Sequence, residues 1–344
     1  MPDMRRIGID CRFASVPAGL GRYTRELVQE LTKHPNIHFV LFVRSKSEDW
    51  IPRSGSVKIV ETTIPHYSLS EQFLFPSLIK AEQLDLFFAP HFNVPLMVPC
   101  PFVATIHDLI LHRFPNEASP LKKLAYRVLM RACMRRSKAL IAVSEFTASE
   151  IQSFYGPQAR IKTVVIPEGI NPDFKAPAPD VIETVKRKYH LTKPFFLYVG
   201  NAKQHKNAQL LLKAFQVLGD TSKELILVTG GKEAKHLRLP SGARILSAVP
   251  DSELPALYAS ALCFVTASLY EGFCLPLLEA RACGCPILAS NSSAIPENAG
   301  PDAVLIKPTI EHLIQAMRAP PKKRAPESLP DWKEIAQKTL DVLS

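Results

Sequence analysis

Apolar residues fall in short runs separated by amphipathic stretches along most of the chain. The runs predict strands at Arg5–Asp10, His38–Val43, Leu84–Ala89, Phe102–Ile106 and Ala139–Val143. After the first of them, Leu27, Val28 and Leu31 repeat at helical spacing and predict a helix over Gly21–Lys33. A second series places strands at Phe195–Val199, Leu225–Thr229, Arg244–Leu246, Leu262–Thr266 and Pro286–Ala289, with helices over Asn207–Leu218, Asp251–Ser260 and Pro276–Cys283. Strands alternating with helices imply an α/β fold of parallel sheets covered on both faces. Ligands of such sheets bind beyond the carboxyl ends of the strands.

Two interruptions divide this pattern. Pro167, Pro172, Pro177, Pro179 and Pro194 crowd one stretch, which is expected to resist both helix and strand and to serve as an interdomain linker. Residues 318–330 are basic and proline-rich and read as an arm. The arm leads to a helix, Trp332–Leu343, whose Trp332, Ile335, Ala336, Leu340 and Leu343 form an apolar stripe. The expected organisation is an N-terminal domain over residues 1–170 and a C-terminal domain over 190–325, with the helix at 331–344 packing back on the first. A length of 344 residues suits two cores.

Composition narrows the function classes. Apolar residues make up 47% and charged residues 22%, a globular balance. No run of about 18 uncharged apolar residues is present to span a bilayer. Arg5 and Arg6 precede no long apolar region, so the N-terminus reads as a first strand and not as a secretory leader. Seven scattered cysteines suit buried thiols in a reducing cytosol, and Cys283-Gly-Cys285 has no second Cys or His pair at zinc spacing. The net charge of +10 favours anionic partners: nucleic acid, anionic lipid or phosphorylated substrates. No interleaving of aromatic and basic residues speaks for nucleic acid.

The chemistry concentrates in residues 266–297. A strand ends near Thr266, a glycine-containing turn follows, Pro276 stands where a first helical residue would, and Gly284 stands where the helix would stop. Backbone N–H groups of Gly272, Phe273, Cys274 and Leu275 would then lie at a helix N-terminus, which attracts phosphate or a polyhydroxylated ligand. Glu271 lies before the turn and Glu279 is expected in the first helical turn. Read alone, Glu279 could merely complement the helix dipole and Glu271 could be a solvated loop residue.

The segment Glu271-Gly-Phe-Cys-Leu-Pro-Leu-Leu-Glu279-Ala-Arg-Ala-Cys-Gly-Cys-Pro286 resembles the signature of glycosyltransferase family four. Other stretches share the resemblance: Gly8-Ile-Asp10 with Gly19-Leu-Gly21-Arg22-Tyr23, Thr105-Ile-His107-Asp108-Leu109, Val143-Ser-Glu-Phe146, Tyr198-Val-Gly-Asn201 with His205-Lys206-Asn207, and Ser292-Ser293 with Pro296-Glu297. The resemblance implies a GT-B fold, two Rossmann-like domains with parallel sheets facing across a deep cleft. It also implies retaining transfer of a hexose from a nucleotide sugar without a metal.

By the same resemblance Glu271 contacts hydroxyls of the transferred sugar and Glu279 binds the ribose. The backbone of Gly272, Phe273, Cys274 and Leu275 holds sugar and phosphates, and Val249 joins the donor-binding set. Lys206 is the cation on the diphosphate, in the electrostatic role of a metal, since no acidic D-x-D motif is visible. His107 reaches toward the transferred sugar, Asp108 fixes the loop or the His107 ring, and Gly19 and Gly21 admit the β-phosphate. No cofactor is implied beyond the nucleotide-sugar co-substrate.

Two positions depart from the pattern. Asn201 stands where many relatives carry Arg, so Lys203 or His205 is expected to supply the second positive group. Cys274 stands where glycine is frequent. Its side chain is expected to narrow the loop or to demand a negative φ, either altering which sugar fits or serving as a small apolar filler.

Residues 120–138 carry Leu121, Leu124, Val128, Leu129 and Cys133 as one expected apolar stripe. Lys122, Lys123, Arg127, Arg131, Arg135, Arg136 and Lys138 form a basic arc. Such a helix could cover the sheet, lie on an anionic bilayer, or do both.

The reading is a cytoplasmic, peripheral hexosyltransferase of polysaccharide or O-antigen assembly at the inner face of the cell membrane. It would move mannose from GDP-mannose, or a hexose from a UDP-hexose, to a glycan or polyprenyl-linked glycan, with no nucleic-acid partner. A nucleotide-sugar hydrolase or epimerase on the same fold is the competing enzyme class, and a basic nucleic-acid-binding protein the competing non-enzyme.

Overall fold

The computed structural model describes residues 4–16 and 19–344. Chain contacts divide it into two units, one comprising Met1–Gly169 with Pro330–Ser344, the other Ile170–Leu329.

The first unit runs β1 (Arg5–Asp10), α1 (Gly19–Leu31), β2 (Ile37–Val43), β3 (Val57–Glu61), α2 (Leu69–Ala81), β4 (Leu86–Ala89), β5 (Phe102–Ile106), α3 (Ile110–Arg113), α4 (Pro120–Arg136), β6 (Ala139–Ala142), α5 (Glu145–Tyr155), α6 (Pro157–Ile161) and β7 (Thr163–Val165). The second runs α7 (Pro179–Lys188), β8 (Phe195–Val199), α8 (Ala208–Leu218), β9 (Glu224–Val228), β10 (Ala243–Leu246), α9 (Leu254–Ser260), β11 (Cys263–Thr266), α10 (Leu275–Ala282), β12 (Ile287–Ser290), α11 (Ile295–Asn298), β13 (Val304–Ile306) and α12 (Ile310–Arg318). The chain then returns to the first unit as α13 (Trp332–Leu343).

Both sheets are wholly parallel. Their strand orders are β3-β2-β1-β4-β5-β6-β7 and β10-β9-β8-β11-β12-β13. In each, the order reverses beside the first strand, so the switch points lie at β1/β4 and β8/β11, where doubly wound sheets take their ligands. Central strands such as β4, β5 and β11 are buried at every residue, which is why they read as unbroken apolar runs. The edge strands β3 and β13 are half exposed.

One expectation fails here. The proline-dense stretch is not a bare linker, because Pro179 occupies the first turn of α7, where its missing N–H has no helical partner to lose. The helix belongs to the second unit.

α13 packs on α1. Its Trp332 and the buried Tyr23 of α1 meet edge to face at 5.6 Å. Beneath α2 lies a closed charge cluster. The fully buried Arg12 guanidinium donates to Asp10 at 2.7 and 2.8 Å and to Glu71 at 2.6 Å, and it lies 3.7 Å over the Phe75 ring. The Asn93 amide donates to both Glu71 oxygens at 2.9 Å.

Candidate active site

In the second unit the signature segment follows β11 and opens α10. Its first helical residue is Leu275, one residue earlier than expected, so Pro276 is the second and Glu279 lies in the second turn. Glu279 therefore does not serve the helix dipole, whose effect fades past the first turn. It is buried, and the Tyr258 hydroxyl of α9 donates to its Oε2 at 2.7 Å. Burial, then the neighbouring Glu279, pushes the Tyr258 phenol up, so it stays protonated as a donor.

Glu271 and Lys206, expected to act on different parts of a ligand, are in contact. The Lys206 ammonium donates to both Glu271 oxygens at 2.6 and 2.7 Å. The Glu271 side chain is nearly buried, whereas the Lys206 side chain keeps about a fifth of its surface exposed, 7% against 21%. The pair joins the loop after β8 to the loop after β11, at the switch point of the sheet.

Backbone and hydroxyl bonds hold the two loops together. Leu269 N and Ser268 Oγ donate to His205 O at 2.7 and 3.2 Å. Ser293 Oγ accepts from Glu271 N at 2.8 Å, and the Asn298 amide donates to Phe273 O at 2.8 Å. Phe273 and Gly272 are buried and Leu275 is half-buried.

Cys274 corrects the expectation of a negative φ. It keeps the left-handed conformation that glycine would favour, at φ 75° and ψ 65°, and makes no side-chain cap to α10. Burial, then Glu271, pushes its thiol well up, so it remains a neutral thiol. The N-terminus of α10 has no side-chain cap from Cys274, and a helix end of this kind favours negative charge.

The phosphate-side residues separate by exposure. His205 is 6% exposed, and this burial argues against its ring as the second positive group; its backbone carbonyl accepts from the 268–269 loop. Lys203 is exposed. Asn201 shapes the turn, accepting from Tyr198 OH at 2.6 Å through its carbonyl and from Lys203 N at 3.2 Å through its side chain. Val249 is half-buried in the loop after β10.

In the first unit, Gly19 and Gly21 open α1. A Cβ on Gly21 would stand 1.9 Å from Val16 O, so close chain approach by itself requires glycine there. His107 follows β5, and both of its ring nitrogens are engaged. Nε2 donates to Pro90 O at 2.8 Å and Nδ1 lies 3.4 Å from Glu168, while Tyr23 meets the ring edge-on at 4.6 Å. Asp108 fixes the loop, accepting from Ile110 N at 3.0 Å. Among the described residues no group of three or more His, Cys, Asp and Glu could hold a metal.

Sequence reasoning missed Tyr258 and Glu168. The tyrosine lies 21 residues from its carboxylate, and the glutamate lies 61 residues from its histidine and looked like part of a linker.

The family described as Glycosyltransferase Family 4 matches residues 17–174, and the one described as Glycosyl transferases group 1 matches residues 181–339. The O-antigen chain mannosyltransferase B of Escherichia coli is 29% identical, over 94% of this chain and 92% of its own. A GDP-mannose-dependent alpha-(1-6)-phosphatidylinositol monomannoside mannosyltransferase of Mycolicibacterium smegmatis is 29% identical over about half of each chain, 50% and 49%. Among solved structures, a sucrose-phosphate synthase from Thermosynechococcus elongatus superposes with a TM-score of 0.79 at 20% identity, covering 98% of both chains. This last likeness shows the fold, GT-B.

Proposed function

We propose, from the premise that the chain belongs to the family-four glycosyltransferases with a group 1 transferase domain, that it moves mannose from GDP-mannose with retention of configuration. That it is a hexosyltransferase using a nucleotide sugar and a glycan acceptor follows from the family and its mannosyltransferase relatives. The observation that carries the nucleotide-sugar reading is the Lys206–Glu271 pair at the β8/β11 switch point, while the choice of GDP-mannose is supported by the mannosyltransferase relatives alone.

The nucleotide sugar is proposed to lie along the signature loop, its ribose on Glu279. The carboxylate, already oriented by Tyr258, can accept from two vicinal hydroxyls. The diphosphate draws the Lys206 ammonium partly away from Glu271, and that frees Glu271 oxygens for sugar hydroxyls. As the sugar–phosphate bond breaks, Lys206 and the N-terminus of α10 stabilise charge on the departing diphosphate, with exposed Lys203 as the second cation. No metal enters this scheme. The two signature carboxylates are assigned to hydroxyls and not to the anomeric carbon, so a double displacement has no nucleophile among them. Departure and attack on one face is the route proposed.

The acceptor is proposed to be a glycan or polyprenyl-linked glycan of O-antigen or polysaccharide assembly, reached from the cytoplasmic side. Seven free cysteines fit a reducing compartment. No helix of the described residues is long and apolar enough to cross a membrane. An anionic bilayer is proposed as a docking surface for α4, because its expected apolar stripe divides. Leu129 and Cys133 enter the core, while Leu121, Leu124 and Val128 are exposed beside Lys122, Arg127 and Arg135. Flotation with anionic vesicles at moderate salt tests this, and absence of binding refutes it.

Thermal shift against a panel of nucleotide sugars tests the donor. A shift with GDP-mannose is expected, and a shift confined to UDP compounds overturns that donor. Glu271→Ala is expected to lose transfer while remaining folded, and near-normal transfer by it would remove the carboxylate's role.

A further inference from the structure

A cavity of about 700 Å³ lies in the first unit where α4 meets α5 and α6. Arg131, Arg135 and Lys162 line it together with Met134, Phe154 and Tyr155. Among the described residues none of the three cations has a carboxylate within 4 Å, and the nearby acids are spent elsewhere: Glu150 on Arg113 at 2.6 Å and Glu145 on Arg160 at 3.3 Å. Lys162 is half-buried, donating to Ser137 O at 2.8 Å, and burial pushes its ammonium below the ordinary lysine range. Three cations around one depression, without an acid, raise its potential and favour an anion.

The helix supplies a second, independent feature. Leu121, Leu124, Val128, Arg131 and Arg135 are spaced three and four residues apart, so they lie along one face of α4. The first three are 77%, 61% and 46% exposed. An apolar run thus leads along the helix to the cationic cavity, and the geometry matches an amphipathic anion with its charged end on Arg131, Arg135 and Lys162.

We propose that this cavity binds the phosphate or diphosphate group of a lipid-linked ligand whose chain lies along Leu121, Leu124 and Val128. The cavity is built from residues of the first unit, whereas the nucleotide-sugar residues of the signature loop belong to the second. It rests on the transferase reading only for its meaning, a handle on a lipid-linked acceptor; its binding test does not need turnover.

Isothermal titration of the full chain, with GDP present in excess so that the donor residues are occupied, would use inorganic diphosphate and farnesyl diphosphate as probes. Both are expected to bind, the prenyl compound about tenfold or more tighter, because it also buries apolar surface. Arg131→Gln is expected to weaken both by roughly tenfold. Leu124→Ser is expected to weaken the prenyl compound alone. Arg131 and Leu124 are exposed, so these variants keep the fold. Equal affinity for the two probes, still lost in Arg131→Gln, would keep the phosphate site and assign it to a free anion instead of a lipid. Absence of binding at low salt, or binding unchanged in Arg131→Gln, overturns the proposal. Transfer to a water-soluble glycan acceptor, measured alongside, reports on the transferase reading separately.

Discussion

The molecule holds two clusters of opposite charges at the switch points of its two sheets, and they have opposite characters. In the first unit, Asp10, Arg12, Glu71 and Asn93 close on one another with almost no surface left, and an aromatic ring covers the guanidinium. In the second, Lys206 and Glu271 form a pair whose lysine side chain still meets solvent. A closed cluster can only support its surroundings, since each partner is needed by another partner and no ligand can enter. An open one can exchange a protein partner for a ligand at modest cost. Charge content alone does not distinguish the two, but exposure of the cation does.

Four experiments would break or sharpen that contrast. Arg12→Met leaves two buried carboxylates without their cation. It is expected to cost about 3–5 kcal/mol, read as a fall in the urea midpoint. Lys206→Ala strands one carboxylate beside a partly exposed site, so it should lower the midpoint clearly less than Arg12→Met while lowering the rate of transfer by roughly 10²–10³-fold, the loss typical of one preorganised charge-stabilising donor. Parallel losses of stability in both variants would erase the distinction.

Acidification should then act on the first cluster. His66 donates through Nε2 to Arg12 O at 3.0 Å and stacks on Phe13 at 3.7 Å, and its Nδ1 is buried without a partner. Burial pushes its pKa down to about 4, and His91 is pushed down in the same way. The unfolded chain takes up these protons near pH 6.5 and the folded one does not, so stability present above about pH 6.5 is lost as the pH falls toward 4. Urea midpoints at pH 7 and pH 5 measure this, and His66→Gln should flatten the dependence.

The smallest effect is expected for Cys274→Gly. Relief of a left-handed residue, roughly 1–2 kcal/mol, is partly offset by the greater freedom of an unfolded glycine, roughly 0.5–1 kcal/mol, so the midpoint should rise slightly, by the equivalent of about 1 kcal/mol or less. Unchanged sugar preference would make Cys274 a filler, whereas altered preference would make it part of the sugar pocket.

These contrasts also show what was legible in the chain. Central strands were, because burial on both faces writes an unbroken apolar run; β1, β5 and β8 lie at their expected residues. The edge strands β3, β7 and β13 were not, since half-exposed strands need no such run. Prolines masked α7, although one of them begins it. The signature loop was legible as a glycine turn before a helix. The Lys206–Glu271 contact was not, because it depends on how two loops 65 residues apart are stitched through His205 and Ser268. The glycine-like backbone of Cys274 was signalled by the glycine frequent at that position in similar chains, but a side chain there was expected to force a negative φ.

The return of α13 has a consequence for synthesis. Tyr23, Leu27, Val28 and Leu31 of α1 are buried, and α13 packs against that helix. Gly169 has no room for a Cβ because the Trp332 backbone stands 2.8 Å away. On the ribosome, α13 emerges only after residues 170–329 have been made, which at cellular elongation rates takes roughly ten to thirty seconds. During that interval α1 lacks the contact of Tyr23 with Trp332, so the first unit reaches its full packing only after the second unit has been synthesised.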